Sequence, residues 1–155
     1  MKKFLVIFFV VFFFFIFKLS CLAEKINIIA DKMEVYEDKK VIIFSGNVEA
    51  TQKDVKIWAD KLYVYYNATQ EGKKEVNKIV GIGNVKIIKG KMWKAFSGKA
   101  KYFKKEDKLI LEDNPKVWYG EDLVEGDVVI IYFNQGKSEV LSKGEGRVKA
   151  YVYSK

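Results

Sequence analysis

The chain has 155 residues, enough for one domain with a hydrophobic core, and a formal net charge of +8. It contains no histidine and a single cysteine, Cys21. Those absences remove Ser-His-Asp and Cys-His catalysis and every zinc site built from histidine and cysteine.

The first segment is unlike the rest. Met1-Lys2-Lys3 is positive, residues 4–17 are an unbroken apolar run of 14, and Ser20-Cys21-Leu22-Ala23 places small residues ahead of Glu24. This is the layout of a secretory signal peptide over residues 1–23, which leaves residues 24–155 as an exported domain. As a helix the apolar run spans roughly 21 Å against about 30 Å of bilayer core. Extended to Ala23 it has the length of a membrane anchor, and that reading stays open, as does a lipidated Cys21 behind the poor lipobox Lys18-Leu19-Ser20. Cleavage removes Lys2, Lys3 and Lys18 and lowers the net charge from +8 to +5. For an exported basic domain, an anionic membrane or a phosphorylated lipid is a better match than nucleic acid.

From Glu24 onward the pattern predicts strands. Apolar residues alternate at Ile26/Ile28/Ala30, Met33/Val35, Ile42/Phe44, Val48/Ala50, Val55/Ile57/Ala59 and Leu62/Val64. No stretch sustains a helical period with caps. Turn signals recur at Glu37-Asp38-Lys39, Glu71-Gly72-Lys73, Lys89-Gly90-Lys91, Lys105-Glu106-Asp107, Tyr119-Gly120-Glu121 and Asn134-Gln135-Gly136. Many short strands with such turns predict an all-β sandwich, barrel or solenoid.

The alternation also slips by one residue, after Ala30 and again after Ala59. Such a slip turns every later side chain to the other face, so a bulge or corner at Asp31-Lys32 and Asp60-Lys61 is needed to keep both apolar sets inside. The slips expose an internal repeat. Ala30-Asp31-Lys32-Met33-Glu34-Val35 matches Ala59-Asp60-Lys61-Leu62-Tyr63-Val64, with looser copies at Gly98 and Asp127. Each copy has a second signal after it: Gly46-Asn47-Val48, Gly83-Asn84-Val85, Asp113-Asn114-Pro115 and Gly144-Glu145-Gly146. Four such strand–turn–strand units stacked together bury a core that none could bury alone.

These residues resemble the periplasmic lipopolysaccharide-transport family of the LptA/OstA type. The resemblance runs through Ile26-Asn27-Ile28, Ala30-Asp31-Lys32, Phe44-Ser45-Gly46-Asn47-Val48, Val55-Lys56-Ile57-Trp58-Ala59-Asp60-Lys61, Gly81-Ile82-Gly83-Asn84 and Gly126-Asp127. It implies a twisted, open, V-shaped antiparallel β-jellyroll, periplasmic, with no cofactor. It also implies that copies pack head to tail into a bridge along which lipopolysaccharide acyl chains slide. The implied partners are lipopolysaccharide, an inner-membrane-anchored relative and the amino-terminal domain of an outer-membrane barrel. Pro115 in place of valine and Gly98 in place of aspartate depart from the repeat.

A multi-acyl lipid needs an apolar groove, since each exposed CH₂ costs about 0.8 kcal/mol. The resemblance suggests Ile26, Ile28, Ile88 and Tyr102 as groove residues. Repeat parity adds Met33, Val35, Phe44, Leu62, Val64, Leu111, Val129 and Ile131. The two routes conflict at one point, because the repeat puts Val85 and Ile87 inward where the resemblance favours Ile88; a local bulge would reconcile them. Lys25, Lys32, Lys89 and Lys99 are candidates for contact with lipid phosphates. The terminal stretches, residues 26–30 and 148–153, are expected to be open edges through which copies join. Three other readings stand beside this one. They are a structural filament without lipid, an inner-membrane-anchored member of the same system, and an enzyme using carboxylates among Glu112, Asp113, Glu121 and Asp122.

Overall fold

The computed structural model describes residues 25–155, so the expected signal segment and Cys21 lie outside the described residues. Twelve strands form one sheet. Five open it: β1 (Asn27–Ile29), β2 (Lys32–Tyr36), β3 (Val41–Gln52), β4 (Val55–Ala68) and β5 (Lys74–Lys89). Next come β6 (Trp93–Phe103), β7 (Lys108–Glu112), β8 (Lys116–Tyr119), β9 (Asp122–Glu125) and β10 (Val128–Tyr132). A short 3-10 turn, Phe133–Gln135, leads into β11 (Lys137–Leu141), and β12 (Lys149–Tyr151) ends the sheet. Of the six expected turns, three fall between strands, Lys89-Gly90-Lys91 and Tyr119-Gly120-Glu121 begin on the last residue of β5 and β8, and Asn134-Gln135-Gly136 lies in and just after the 3-10 turn. All strand pairs are antiparallel, and the first strands do not pair with the last, so the sheet stays open.

Strand pairing shows how the sheet divides. The long strands β3, β4, β5 and β6 run through both halves. The shorter ones serve one half each. β1 pairs with the end of β3 and β2 with its beginning. β8 continues from the start of β6 to β9 and β12, and β7 from its end to β10 and β11. The result is two half-sheets joined along a corner. Their inner faces pack against each other: one buried cluster joins Ala59, Ile87 and Ala95 of the first half to Leu109, Leu111 and Val129 of the second.

The corner is built from the two repeat signals meeting across neighbouring strands. In β3, Gly46 and Asn47 both have positive φ, of 80° and 45°, and the register against β4 shifts at this point. Gly83 and Asn84 of β5 repeat this with φ of 82° and 47°. Glycine and asparagine are the residues that tolerate this conformation. Each bulge receives the aspartate of the preceding copy. Asn47 Nδ2 donates to Asp31 Oδ2 at 3.1 Å, and Asn84 Nδ2 to Asp60 Oδ2 at 2.9 Å. The carboxylates lie where a side chain on Gly46 or Gly83 would be; a Cβ on Gly46 would sit 2.5 Å from Asp31 Oδ2. The backbone N–H of Asp31 donates to the carbonyl of Gly46 at 2.9 Å.

The third corner keeps the device with its parts exchanged. Gly98 stands in the aspartate position, and the partner bulge is Asp113-Asn114, with φ of 64° and 57°. A Cβ on Gly98 would fall inside the Asp113 carboxylate. The apparent departure at Gly98 is therefore matched by one at Asp113. At the fourth corner the Lys143 backbone N–H donates to Asp127 Oδ2, and Gly144 takes a φ of 66°. The residue after each of the first three bulges is buried: Val48, Val85 and Pro115. Pro115 lies between β7 and β8, where no ladder needs its missing N–H.

The third corner gives a clean test, since Gly98 does not itself have positive φ and its need for glycine is steric. Gly98→Ala is expected to cost about 2 kcal/mol by overpacking. Adding Asp113→Gly should restore most of that loss in urea unfolding. Two losses that simply add would show that the clasp does not exist.

Candidate functional site

Cross-strand partners project from the same face of a sheet, so the register defines the inner surface row by row. In the second half-sheet one inner row runs Met33, Phe44, Leu62, Gly81, Ala100, Leu111, Val129 and Val140. The next runs Val35, Ile42, Val64, Ile79, Tyr102, Leu109 and Ile131. In the first half-sheet Ile28, Ala50, Ile57, Ile87, Ala95 and Val117 form the opposing row. Where the rows meet without filling the space, two cavities remain.

The first cavity, about 150 Å³, is lined almost wholly by hydrocarbon, including Ile26, Ile28, Ile42, Phe44, Leu62 and Val64. The second, about 200 Å³, is lined by Ile87, Leu109, Trp93, Tyr102 and Phe133, with Lys89 and Asp107 at its polar end. Both touch Gln52, Val55, Ile57 and Ile79, so the two cavities adjoin along these four residues. The Tyr102 hydroxyl donates to Asp107 Oδ1 at 2.8 Å, which satisfies the phenol without breaking the apolar lining. An apolar concavity with a few polar groups at one end is the general form of a lipid or small-molecule site.

The profile of the family described as LptA/(LptD N-terminal domain) LPS transport protein matches residues 27–137, most of the chain. The chain belongs to this family. It is 26% identical over 132 residues to the lipopolysaccharide export system protein LptA of Haemophilus influenzae, covering 80% of this chain and 73% of that protein. Its fold matches the crystal structure of LptH, described as the LptA-homologous periplasmic component of the lipopolysaccharide transport device of Pseudomonas aeruginosa. The TM-score is 0.75 at 17% identity, over 84% of this chain and 96% of that one. The expected family and the open β-jellyroll are thus both found.

The residues expected to line the groove divide into three groups in this family member. Ile26, Ile28, Phe44, Leu62 and Val64 line the first cavity and Tyr102 the second. Leu111, Val129 and Ile131 are on the same inner face but lie deeper, in the packed cluster between the half-sheets. Met33 and Val35 continue the inner rows onto the edge strand β2, where no further strand covers them, and are 60% and 43% exposed. Ile88 is corrected. The ladders on both sides of β5 run without a shift from Lys86 to Lys89, so no bulge brings Ile88 inward. It pairs with Lys56 and Lys94 on the outer face, while Val85 and Ile87 are buried.

Among the four candidate lysines only Lys89 reaches a cavity. Lys25 is exposed ahead of β1. Lys32 is on the outer face beside Glu34, whose carboxylate raises its pKa through their hydrogen bond; Lys99 shares the outer row of Glu112. The carboxylates considered for catalysis are not brought together. Glu112 is paired with Lys101 at 3.2 Å, Asp113 fills the notch at Gly98, and Asp122 accepts the Tyr153 backbone N–H at 2.9 Å. Ile57, Ile79, Ile87, Trp93 and Phe133 line the cavities without having been expected there. The first and third were visible in the alternation; Phe133 enters from a turn, where parity has no meaning.

Wall and lip should separate energetically. Leu62 and Leu111, at 1% and 0% exposure, are expected to lose about 2–5 kcal/mol on replacement by alanine. Met33→Ser on the open edge should stay within about 0.5 kcal/mol. Urea unfolding of the three variants decides this, and a comparable loss at Met33 would mean that the edge is covered.

Proposed function

We propose that this protein is a periplasmic carrier of lipopolysaccharide that holds the lipid's acyl chains in the passage between its two half-sheets and has no catalytic role. The observation that supports the reading is that two apolar cavities between the half-sheets adjoin along Val55, Ile57 and Ile79. Hydrophobic contact is non-directional, so chains can move along such a lining without breaking specific bonds.

The strand edges extend this reading from one copy to many. At one end the inner rows stop at Met33 and Val35, and at the other the first of them stops at Val140. Strand edges with exposed apolar side chains, such as Ile29 on β1 and Leu141 on β11, invite addition of another strand. A second copy joined there continues both the ladder and the apolar row. The same edges serve for an inner-membrane-anchored relative at one end and the amino-terminal domain of an outer-membrane barrel at the other.

Photo-crosslinkers placed at positions 28, 57, 79 and 102 and incubated with lipopolysaccharide are expected to give lipid adducts. Positions 88 and 105, on the outer face and in a turn, should give none. A folded protein without adducts at the four inner positions would rule the carrier reading out in favour of a filament without lipid.

A further inference from the structure

We infer that Lys89 and Lys91 form a subsite for the phosphate of an amphiphile headgroup, placed just outside the second apolar cavity. The inference rests on the carrier reading and adds to it the chemistry that holds the headgroup.

The site lies where the tips of the two half-sheets approach each other. Lys89 ends the inner row of β5, paired with Val55 and Trp93, and therefore points to the cavity side. From the other tip, Phe133 of the 3-10 turn reaches across: its ring meets Trp93 edge-on at 6.3 Å, and the Lys89 ammonium lies 4.7 Å from its centre. Lys89, Trp93 and Phe133 line the apolar cavity on one side. On the other they line an open cleft of about 540 Å³ that also contains Asp54, Lys91 and Lys137. The aromatic pair thus separates hydrocarbon space from a wet cleft with three lysines and one aspartate.

The charges are arranged for an anion. The Lys89 ammonium rests on the Phe133 ring, with no carboxylate within ion-pair distance among the described residues. Lys137 is paired with Glu139 and lies over the Tyr132 ring, so it is not counted with the free cations. Asp54 faces the same cleft, and Lys89 and Lys91 outweigh it by one positive charge. A chain in the cavity whose head emerges past Phe133 would bring a phosphate to these ammonium groups, which bind it as charge-assisted donors. An uncharged head would gain nothing there.

The test is equilibrium binding of the mature protein to three probes: lipid A, the same lipid with its phosphates removed, and a long-chain fatty alcohol. Wild type is expected to favour the phosphorylated lipid by roughly tenfold, the scale of one charge-assisted contact. The Lys89→Gln/Lys91→Gln variant should lose that preference, binding lipid A and its dephosphorylated form within about twofold of each other. A Lys99→Gln variant, on the outer face, should keep it. Preference that survives Lys89→Gln/Lys91→Gln, or alcohol binding with no phosphate preference in wild type, would overturn the subsite and leave the groove intact. Displacement of the lipid by an equal concentration of inorganic phosphate would overturn the headgroup assignment. Failure of all three probes to bind would remove the carrier reading itself.

Discussion

The structure depends on a carboxylate seated in a notch that only glycine leaves open. A sheet that turns a corner must add residues to some strands and not to others, and each addition reverses the facing of every residue beyond it. At the first three corners the reversal is locked by a pair. Asp31 fills the space at Gly46, Asp60 that at Gly83, and Asp113 that at Gly98. At Asn47 and Asn84 the asparagine side chain closes the clasp with a hydrogen bond to the carboxylate. These bonds are exposed and individually modest, about 0.5–1.5 kcal/mol each. Their importance lies in register, since a slip would turn Leu62 and Val64 to solvent together.

An open sheet with an unfilled interior lacks the packing that closes most cores, and its outer face is organised accordingly. Lysines on the outer rows lie over aromatic rings: Lys86 over Trp58 at 5.1 Å and Phe96 at 5.7 Å, Lys94 over Trp118 at 5.0 Å, Lys78 over Tyr65 at 4.3 Å. Phe96 and Trp118 add an edge-to-face contact at 5.4 Å. The alkyl stems cover ring surface while the charges stay in water. The outer face gains cross-strand contacts without becoming a second sticky surface, so adhesion is confined to the edges and the interior. The lysine-rich composition reflects this arrangement, and most of those lysines have no bearing on an anionic ligand.

Alternation governs how much of this fold is legible in the sequence. Period-two patterning and the paired slips at Asp31 and Asp60 are sufficient for the corner and the inner rows; the open sheet rests on the resemblance, since alternation alone leaves sandwich, barrel and solenoid. The positions taken from repeat parity all fall on the inner face, and Ile88, taken from the resemblance against parity, does not. Parity does not report coverage, however. Met33 and Val35 share their face with Phe44 and Ile42 and differ only in what lies beyond them, which depends on where the sheet ends. The exchange at Gly98 looks like a loss in the sequence because the two members of the pair are 15 residues apart, and only the strand register puts them together. Phe133 is out of reach for the same reason, since it meets Lys89 and Trp93 across the mouth rather than along a strand.

The same device also bears on the proposed carriage of a lipid. Successive corners return the strands to the same facing, so each strand presents a similar pair of apolar positions to the passage. Sliding needs neighbouring positions of nearly equal energy, because burying one more CH₂ shifts a site by about 0.8 kcal/mol and a few such differences make a trap. Walls of Val, Ile and Leu repeated from strand to strand keep those differences small. A charge within the wall would break that evenness, and Lys89 avoids doing so by standing at the mouth, beside Trp93 and Phe133. On the proposed reading, grip on the headgroup and slip of the chains coexist, since they act on different parts of the lipid on opposite sides of one aromatic pair.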